Sequence, residues 1–445
     1  MQINVETTQG LGRKMTVALP SEDIDSAVSE RLTSLRKTAR INGFRPGKVP
    51  MQVVRKRFEP QVRSEILGNL INRSFYDAVQ QENLRPAGQP NIEPDENNDD
   101  EGVGFSYVAT FEVYPEFDPV YNDTISVNRP VVEIQESDIN EMLETLRKQR
   151  TEYVTVERAA ADDDQIIIDF VGRIEGEEFE GGAAEKAPLV LGSGQMIDGF
   201  ESQLVGVVAG DKKTIEVTFP AEYQAEHLAG KQAEFDITVH EVKESSLPEL
   251  DEELIKSFGI EDGTLESLKA DIQKNMSREL KQRVEAEVKQ QIMDGLLELN
   301  PVDVPDALIQ EEIGRQKEQL MQQMPAESDS SMLSDDLFRD QSLRRVRLGL
   351  VIGEIIKRDE IKADAAAVRS RVEELASTYE DSQQVIDYYY GNPEMLQNVE
   401  GLVLEEAVTQ AVLDSASVTD IPKTFDEMMN PPAPATVDKG DGSDD

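Results

Sequence analysis

Ten cations crowd the stretch from Arg31 to Arg63: Arg31, Arg36, Lys37, Arg40, Arg45, Lys48, Arg55, Lys56, Arg57 and Arg63, against the single acid Glu59. The whole chain is the opposite, with 45 basic and 89 acidic residues and a formal net charge of −44. A protein of that sign repels phosphates overall, so a cationic island stands out. The island flanks the loop Gly43-Phe44-Arg45-Pro46-Gly47-Lys48-Val49-Pro50. Two glycines and two prolines hold such a segment in an extended turn, which pushes Phe44, Arg45 and Lys48 outward. A projecting aromatic between cations suits a partner that offers both phosphates and a small apolar pocket, and each phosphate neutralised makes binding more salt-sensitive. From charge alone, a solvated basic helix face with a routine connecting loop fits equally well.

Other chemistries are poorly supplied. There is no Cys, which excludes disulfides, thiolate metal ligands and Cys nucleophiles. The only histidines are His227, read as a surface-loop residue, and His240, in a strand-like alternation with no assigned role. No metal or other cofactor is therefore expected. The N-terminus MQINVETTQG lacks a basic n-region and an apolar h-region, so no secretory leader is expected. No apolar run reaches the ~18–20 residues needed to span a bilayer, which makes the cytoplasm the expected address.

The elements that position the island read as an α+β domain over residues 1–115. Ile3 and Val5, then Met15, Val17 and Leu19, alternate about Gly10 and Gly12 as a hairpin. Ile24, Ala27, Val28, Leu32 and Leu35 predict one amphipathic helix; Val62, Ile66, Leu70 and Phe75 predict a second. Phe105, Tyr107, Ala109, Phe111 and Val113 alternate as a strand after a polar tip at Pro94–Gly102. Residues 116–150 read as a linker ending in a helix and packing with the C-terminal domain. Residues 151–246 are strand-rich with many Gly turns, and residues 247–430 are helical. The tail 431–445, rich in Pro, Gly and Asp, is expected to be disordered.

In the helical part, Leu265, Leu268, Ile272, Met276, Leu280, Val284, Val288, Ile292 and Leu296 form one line, spaced by four after the first step. Each step of four drifts by about 40°, so the stripe turns by about 240° from Ile272 to Leu296 and must meet different partners along its length. Thr264 is the expected N-cap and Asn300-Pro301 the stop. Further helices are predicted from Pro305, over Leu343–Ile356 as the densest apolar core, over Ala365–Tyr379 and over Met395–Val412. Met321, Met324, Met332 and Met395 read first as core gap-fillers and second as an open, adaptable surface. Residues 359–445 hold five basic and twenty acidic residues, a segregation of charge that random scatter would rarely produce.

The loop Gly43–Pro50 closely resembles the ribosome-docking signature of trigger factors, Gly-Phe-Arg-x-Gly-x-x-Pro, with Gly43, Phe44, Arg45, Gly47 and Pro50 in the fixed places and Lys48 as a further cation. Pro46 stands where many relatives have a basic residue. A second resemblance runs through IIIDFVG (166–172), GEEFEGG (176–182), LGSGQMIDGF (191–200), the stretch 201–210, VTFPAEY (217–223) and AEFDITVHEV (233–242). In this order they resemble an FKBP-type domain, a curved antiparallel sheet wrapped on one short helix. The resemblance implies a peptidyl-prolyl cis-trans isomerase pocket walled by Phe170, Phe179, Glu180, Met196, Ile197, Phe200, Tyr223 and Phe235. Ile197 would give its backbone N–H to the substrate carbonyl, and Tyr223 could donate through its hydroxyl. Glu180 stands where many single-domain relatives have Asp, Phe200 where they often have Trp, and Ala187 where they have another aromatic. The blander reading makes each of these rings plain sheet core.

The chemistry suits these residues. Rotating an X–Pro bond breaks amide resonance, a barrier of ~18–20 kcal/mol. No nucleophile or metal is required; a dry aromatic pocket favours the twisted amide, whose charge separation is smaller. The resemblance covers nearly the whole chain in family order and implies a multidomain α+β fold: an α+β ribosome-docking domain, an FKBP-like sheet domain with one short helix, and an all-α C-terminal domain with extended arms. It implies a chaperone that binds the large ribosomal subunit near the nascent-chain exit, through ribosomal protein and rRNA. Unfolded nascent polypeptides would be its clients during folding and export, with self-association as a homodimer off the ribosome. A free prolyl isomerase with accessory helices and an RNA-binding adaptor with a degenerate FKBP module are the alternatives.

Overall fold

The computed structural model describes residues 1–39, 44, 48–95, 103–223, 225, 228–324, 333–377, 379 and 381–431. Gly43, Arg45 and Gly47 of the loop, Arg40, the tip 96–102, His227, Met332 and the tail from 432 lie outside them. In chain order the elements are β1 Gln2–Thr7, β2 Gly12–Pro20, α1 Ser21–Thr38, α2 Met51–Gln81, β3 Pro86–Pro94, β4 Val103–Val113, β5 Ser126–Val131, α3 Glu136–Gln149, β6 Glu152–Val156, β7 Gln165–Ile174 and β8 Glu177–Val190. A 3-10 turn at Ser202–Leu204 follows, then β9 Lys212–Thr218, β10 Gln232–Ser246, α4 Glu252–Ser257, α5 Leu265–Leu299, α6 Asp306–Gln323, α7 Asp336–Arg358, α8 Ala365–Ala376, α9 Ser382–Gly391, α10 Pro393–Ser415, β11 Ser417–Pro422 and α11 Phe425–Met429. The chain is a multidomain α+β protein whose contacts divide it into two compact units: Met1–Arg129 with Ala286–Ile421, and Pro130–Glu285 with Pro422–Asp445.

In the first unit, β1 and β2 pair across a turn in which Gly10 takes φ +56°, and the sheet order is β1-β2-β4-β3. Period-two alternation sends Met15, Val17 and Leu19 of β2 to one face with Tyr107, Ala109 and Phe111 of β4. Ile24, Val28 and Leu32 of α1 and Val54, Val62 and Phe75 of α2 close over that face. Phe75 meets Phe111 edge to face at 5.3 Å. Inside this core the Ser74 and Tyr107 hydroxyls lie 2.9 Å apart, and both reach the Ile71 carbonyl, at 3.0 and 3.3 Å.

Along the C-terminal half of α5 and just past its end, two carboxamides pair with backbone as another strand would. Gln291 accepts from the Asn128 N–H at 2.7 Å and donates to the Asn128 carbonyl at 2.9 Å. The buried Asn300 accepts from the Val120 N–H at 2.7 Å and donates to the Val120 and Leu296 carbonyls, both at 2.8 Å. Between them Gly295 lies so close to Ile125 that an added Cβ would stand 2.8 Å from its Cγ2. β11, whose residues are all exposed, pairs with β5.

In the second unit the sheet order is β6-β10-β7-β8, with β9 also on β10. The fifteen residues of β10 serve both neighbours on one edge: Gln232–Thr238 pair with β9 and Val242–Ser246 with β6. The handover is a bulge at His240, where the register with β7 slips between Val239 and Glu241. The extra residue resets the pleat, so the buried series Ala233, Phe235, Ile237, Val239 continues at Val242 rather than Glu241. The short helix is the 3-10 turn at Ser202–Leu204, with Leu204 fully buried. A separate helical core joins Leu143 of α3, Ile255 of α4 and Leu268, Ile272 and Met276 of α5, with Phe425 of α11 against it.

Candidate functional site

The aromatic residues of the sheet domain form one cluster. Phe235 sits at its centre, 5.2 Å from Phe200, 6.0 Å from Phe170 and 6.0 Å from Phe179, every pair edge to face. Phe219 extends it, 5.9 Å from Phe179 and 4.8 Å from Tyr223. Edge-to-face contacts set the positive ring edge against the negative face and fix ring orientation. Phe200 at 0% and Phe235 at 4% exposure are floor, while Phe170, Phe179, Met196 and Ile197 are half-buried and pack against the same core. Tyr223, 37% exposed, stands at the rim, and its hydroxyl has no hydrogen-bond partner among the described residues.

Phe179 reaches the cluster because two glycines leave room. A Cβ on Gly172 would lie 2.6 Å from Phe235 Cε1 and 2.8 Å from Phe179 Cε1; one on Gly182 would lie 2.7 Å from Phe179 Cε2. Glu180, next to Phe179 on β8, is exposed, and its side chain makes no hydrogen bond among the described residues. Ala187 lies on β8 opposite Ile168.

The loop 193–197 is held by Glu201, a residue sequence reasoning passed over. Its buried carboxylate accepts from the Gly194 N–H at 3.0 Å, the Met196 N–H at 3.1 Å and the Ser193 hydroxyl at 3.2 Å. Burial pushes this carboxyl up, but the N–H groups of Gly194, Met196 and Gln195 and the Ser193 hydroxyl outweigh it and hold it below the ordinary glutamate range. The Ile197 carbonyl accepts from the Phe200 N–H at 3.0 Å, while the Ile197 N–H has no acceptor among the described residues. A cleft of about 230 Å³ touches Met196, Ile197 and Glu201 but none of the rings. Phe219 was also missed, although it lies in the segment 217–223 that carries the FKBP-type resemblance.

At the basic island, the buried Ala39 and Val49 anchor the two ends of the loop, and Phe44 between them is 41% exposed. Pro50 N-caps α2, where its fixed φ and missing N–H cost nothing. Lys48 is exposed, as are Arg36 and Lys37 in the last turns of α1 and Arg55, Lys56 and Arg57 near the start of α2. None of these six has an ion pair among the described residues, whereas Arg31 pairs with Glu65 at 2.8 Å and Arg63 with Asp25 at 3.2 Å. Part of the island thus clamps α1 to α2, and the part beside the loop stays open.

The helical body departs from expectation in one respect. Of the apolar run on α7, Val351 and Ile355 are buried, but Val346, Leu348, Leu350 and Ile352 are half-buried. They line an open cleft of about 430 Å³ with Tyr114, Leu308 and the charged Glu311, Glu312, Arg315 and Arg345. Met321 and Met395 are half-buried and Met324 is exposed. Among the described residues no helix is long and apolar enough to cross a membrane.

Comparison with known proteins decides the family. The trigger factor of Azotobacter vinelandii is 48% identical over 97% of this chain and 98% of its own length. This chain belongs to the trigger factor family. The trigger factors of Teredinibacter turnerae, 48% identical over 98% of this chain and 99% of theirs, and of Pseudomonas putida, 47% over 98% and 100%, agree. Residues 1–146 match the family described as bacterial trigger factor protein, 264–414 its C-terminus, and 156–240 the FKBP-type peptidyl-prolyl cis-trans isomerase. The solved structure reported as "Promiscuous Substrate Recognition in Folding and Assembly Activities of the Trigger Factor Chaperone" superposes with a TM-score of 0.46 at 18% identity, over 93% of this chain and 99% of that one.

Proposed function

We propose that this protein is a cytoplasmic, ribosome-associated chaperone that shields emerging chains and catalyses cis/trans isomerisation of X–Pro bonds during folding and export. Residues 1–115 dock on the large ribosomal subunit near the nascent-chain exit, against ribosomal protein and rRNA. Residues 116–150 are a linker that packs with the C-terminal domain. Residues 151–246 are the isomerase, 247–430 the client-holding body and 431–445 a disordered tail; off the ribosome the protein forms a homodimer. The observation that carries docking is Phe44, exposed between two buried anchors and beside unpaired cations. Trigger factor relatives alike over nearly their full length support the same reading.

For the isomerase, the support is the aromatic floor of Phe200 and Phe235 with Phe170, Phe179 and Tyr223 around it. Such walls replace water around the substrate amide, and the Ile197 N–H supplies one donor for its carbonyl oxygen. For client binding, the support is the half-buried apolar face of α7 along an open cleft. The test is co-sedimentation with ribosomes across a salt series, for the wild type and for Phe44→Ala. Binding that falls with salt, and is weakened by the substitution, is expected. Binding indifferent to both removes the docking assignment and leaves a free isomerase, which prolyl turnover on a short peptide then checks.

A further inference from the structure

Glu201 is an acid where the prolyl pocket has no use for acid chemistry. Its side chain is 7% exposed and makes no ion pair among the described residues. A buried carboxylate without a cation is costly unless hydrogen bonds replace its water, and here the donors all come from one loop, Ser193, Gly194 and Met196. The amide next in line is that of Ile197, half-buried and without an acceptor among the described residues. Its carbonyl is already fixed by Phe200 N–H at 3.0 Å, one residue before Glu201. The donor is therefore bracketed: N-terminally by amides tied to Glu201, C-terminally by a turn that ends at Phe200, the residue before Glu201.

We propose that Glu201 is a positioning residue of the prolyl site, holding the 193–197 loop so that the Ile197 N–H is set in advance for the substrate carbonyl oxygen. This rests on the reading of the aromatic cluster as a prolyl isomerase pocket. A carboxylate suits the role because it is acceptor-only and can take several donors at once. A neutral amide of the same shape would turn an NH₂ group toward N–H donors. A donor fixed before the substrate arrives needs no reorganisation as the amide twists, so the gain falls on turnover more than on binding.

The test uses the full-length chain and a proline-containing tetrapeptide, with kcat and KM measured separately for wild type, Glu201→Gln and the milder Ser193→Ala. For Glu201→Gln, kcat is expected to fall about tenfold, equivalent to ~1.4 kcal/mol of barrier, with KM within about twofold because the rings are untouched. Ser193→Ala, which removes one donor of the set, is expected to lower kcat about two- to threefold, and it decides the matter if Glu201→Gln does not fold. Amide exchange at Ile197 is expected to quicken in both. Unchanged kcat in the folded variants, or a rise in KM alone, overturns the role of Glu201 while leaving the prolyl reading intact. A wild type that does not turn over the peptide overturns both.

Discussion

Gly172→Ala adds one carbon to the tightest place in the aromatic cluster. The new Cβ would stand 2.6 Å from Phe235 Cε1 and 2.8 and 2.9 Å from Phe179 Cε1 and Cζ. Carbon pairs rest at about 3.5–4.0 Å, so a ring must retreat by about 1 Å. Neither ring is free to do so: Phe235 is wedged by Phe200 at 5.2 Å and Phe170 at 6.0 Å, and Phe179 by Phe219 at 5.9 Å. Phe235 is floor, so the half-buried Phe179 yields, giving up edge-to-face contacts worth about 0.5–1.5 kcal/mol each. The expected net cost is that of overpacking, about 1–3 kcal/mol, and for a domain of this size that lowers the melting point by about 4–8 °C per kcal/mol. In the proposed prolyl pocket Phe179 is a wall, so kcat/KM for a proline tetrapeptide is expected to fall by about tenfold for each 1.4 kcal/mol of lost transition-state contact. Calorimetry and peptide turnover on the full-length chain read both. Unchanged stability together with unchanged turnover would show that Phe179 does not fill the gap over Gly172.

Three further substitutions test the cores. Tyr107→Phe and Ser74→Ala should each cost about 0.5–1.5 kcal/mol by urea unfolding, and the double variant less than their sum, since both hydroxyls share the Ile71 carbonyl; strict additivity would break the proposed network. Asp164→Asn should cost about 1–3 kcal/mol at pH 7 by loss of the contacts to Arg158 and the Ala161 N–H. Burial pushes the Asp164 carboxyl up, yet Arg158 and the N–H groups of Ala161 and Ser245 bring it below its ordinary value. The folded form therefore holds its proton less tightly than the unfolded, and its stabilisation is present above the ordinary carboxylate range and lost as pH falls through the lowered value. The gap between wild type and Asp164→Asn should close in acid, and a gap that stays constant down to low pH contradicts the assignment.

The rings of the aromatic cluster were legible because each belongs to a segment with a recognisable order, and the strands around them alternate cleanly. What the sequence concealed has physical reasons. β3 carries Pro86, Pro90 and Pro94, which read against a strand, but it is the edge of its sheet and its register breaks between Ala87 and Asn91, where missing donors do no harm. β11 has every residue exposed, so no alternation marks it. The first half of the turning stripe of α5 packs on Leu143 and Ile255, and farther along the helix Gly295, which is not in the stripe, meets Ile125. Glu201 was invisible because an acid in a Gly-rich loop looks solvated; only the fold shows three donors converging on it.

The carboxylates of the sheet domain bear on mechanism as a group. A general acid or base is most effective with a pKa near the working pH, which for a carboxyl means a shift upward. Here Asp164, Asp169, Glu201 and Asp236 are all held below the ordinary carboxylate range by their hydrogen bonds and neighbouring charges. Asp169 is lowered first by the Lys186 N–H and then by His240, and Asp236 by the Thr214 hydroxyl and Arg173. Each is a stable anion at neutrality, suited to accepting fixed hydrogen bonds and not to moving protons. His240 bonds Asp169 at 2.7 Å, and Asp169 precedes Phe170, so alternation puts this pair on the face away from the rings. Bond rotation in a dry pocket demands no proton transfer, and turnover should accordingly stay level between about pH 6 and 8, falling only in acid as the lowered carboxyls take up protons and the loops they hold come loose. A bell-shaped profile of kcat centred near neutrality would require an acid–base pair that this arrangement does not provide, and would refute rotation by desolvation as the mechanism.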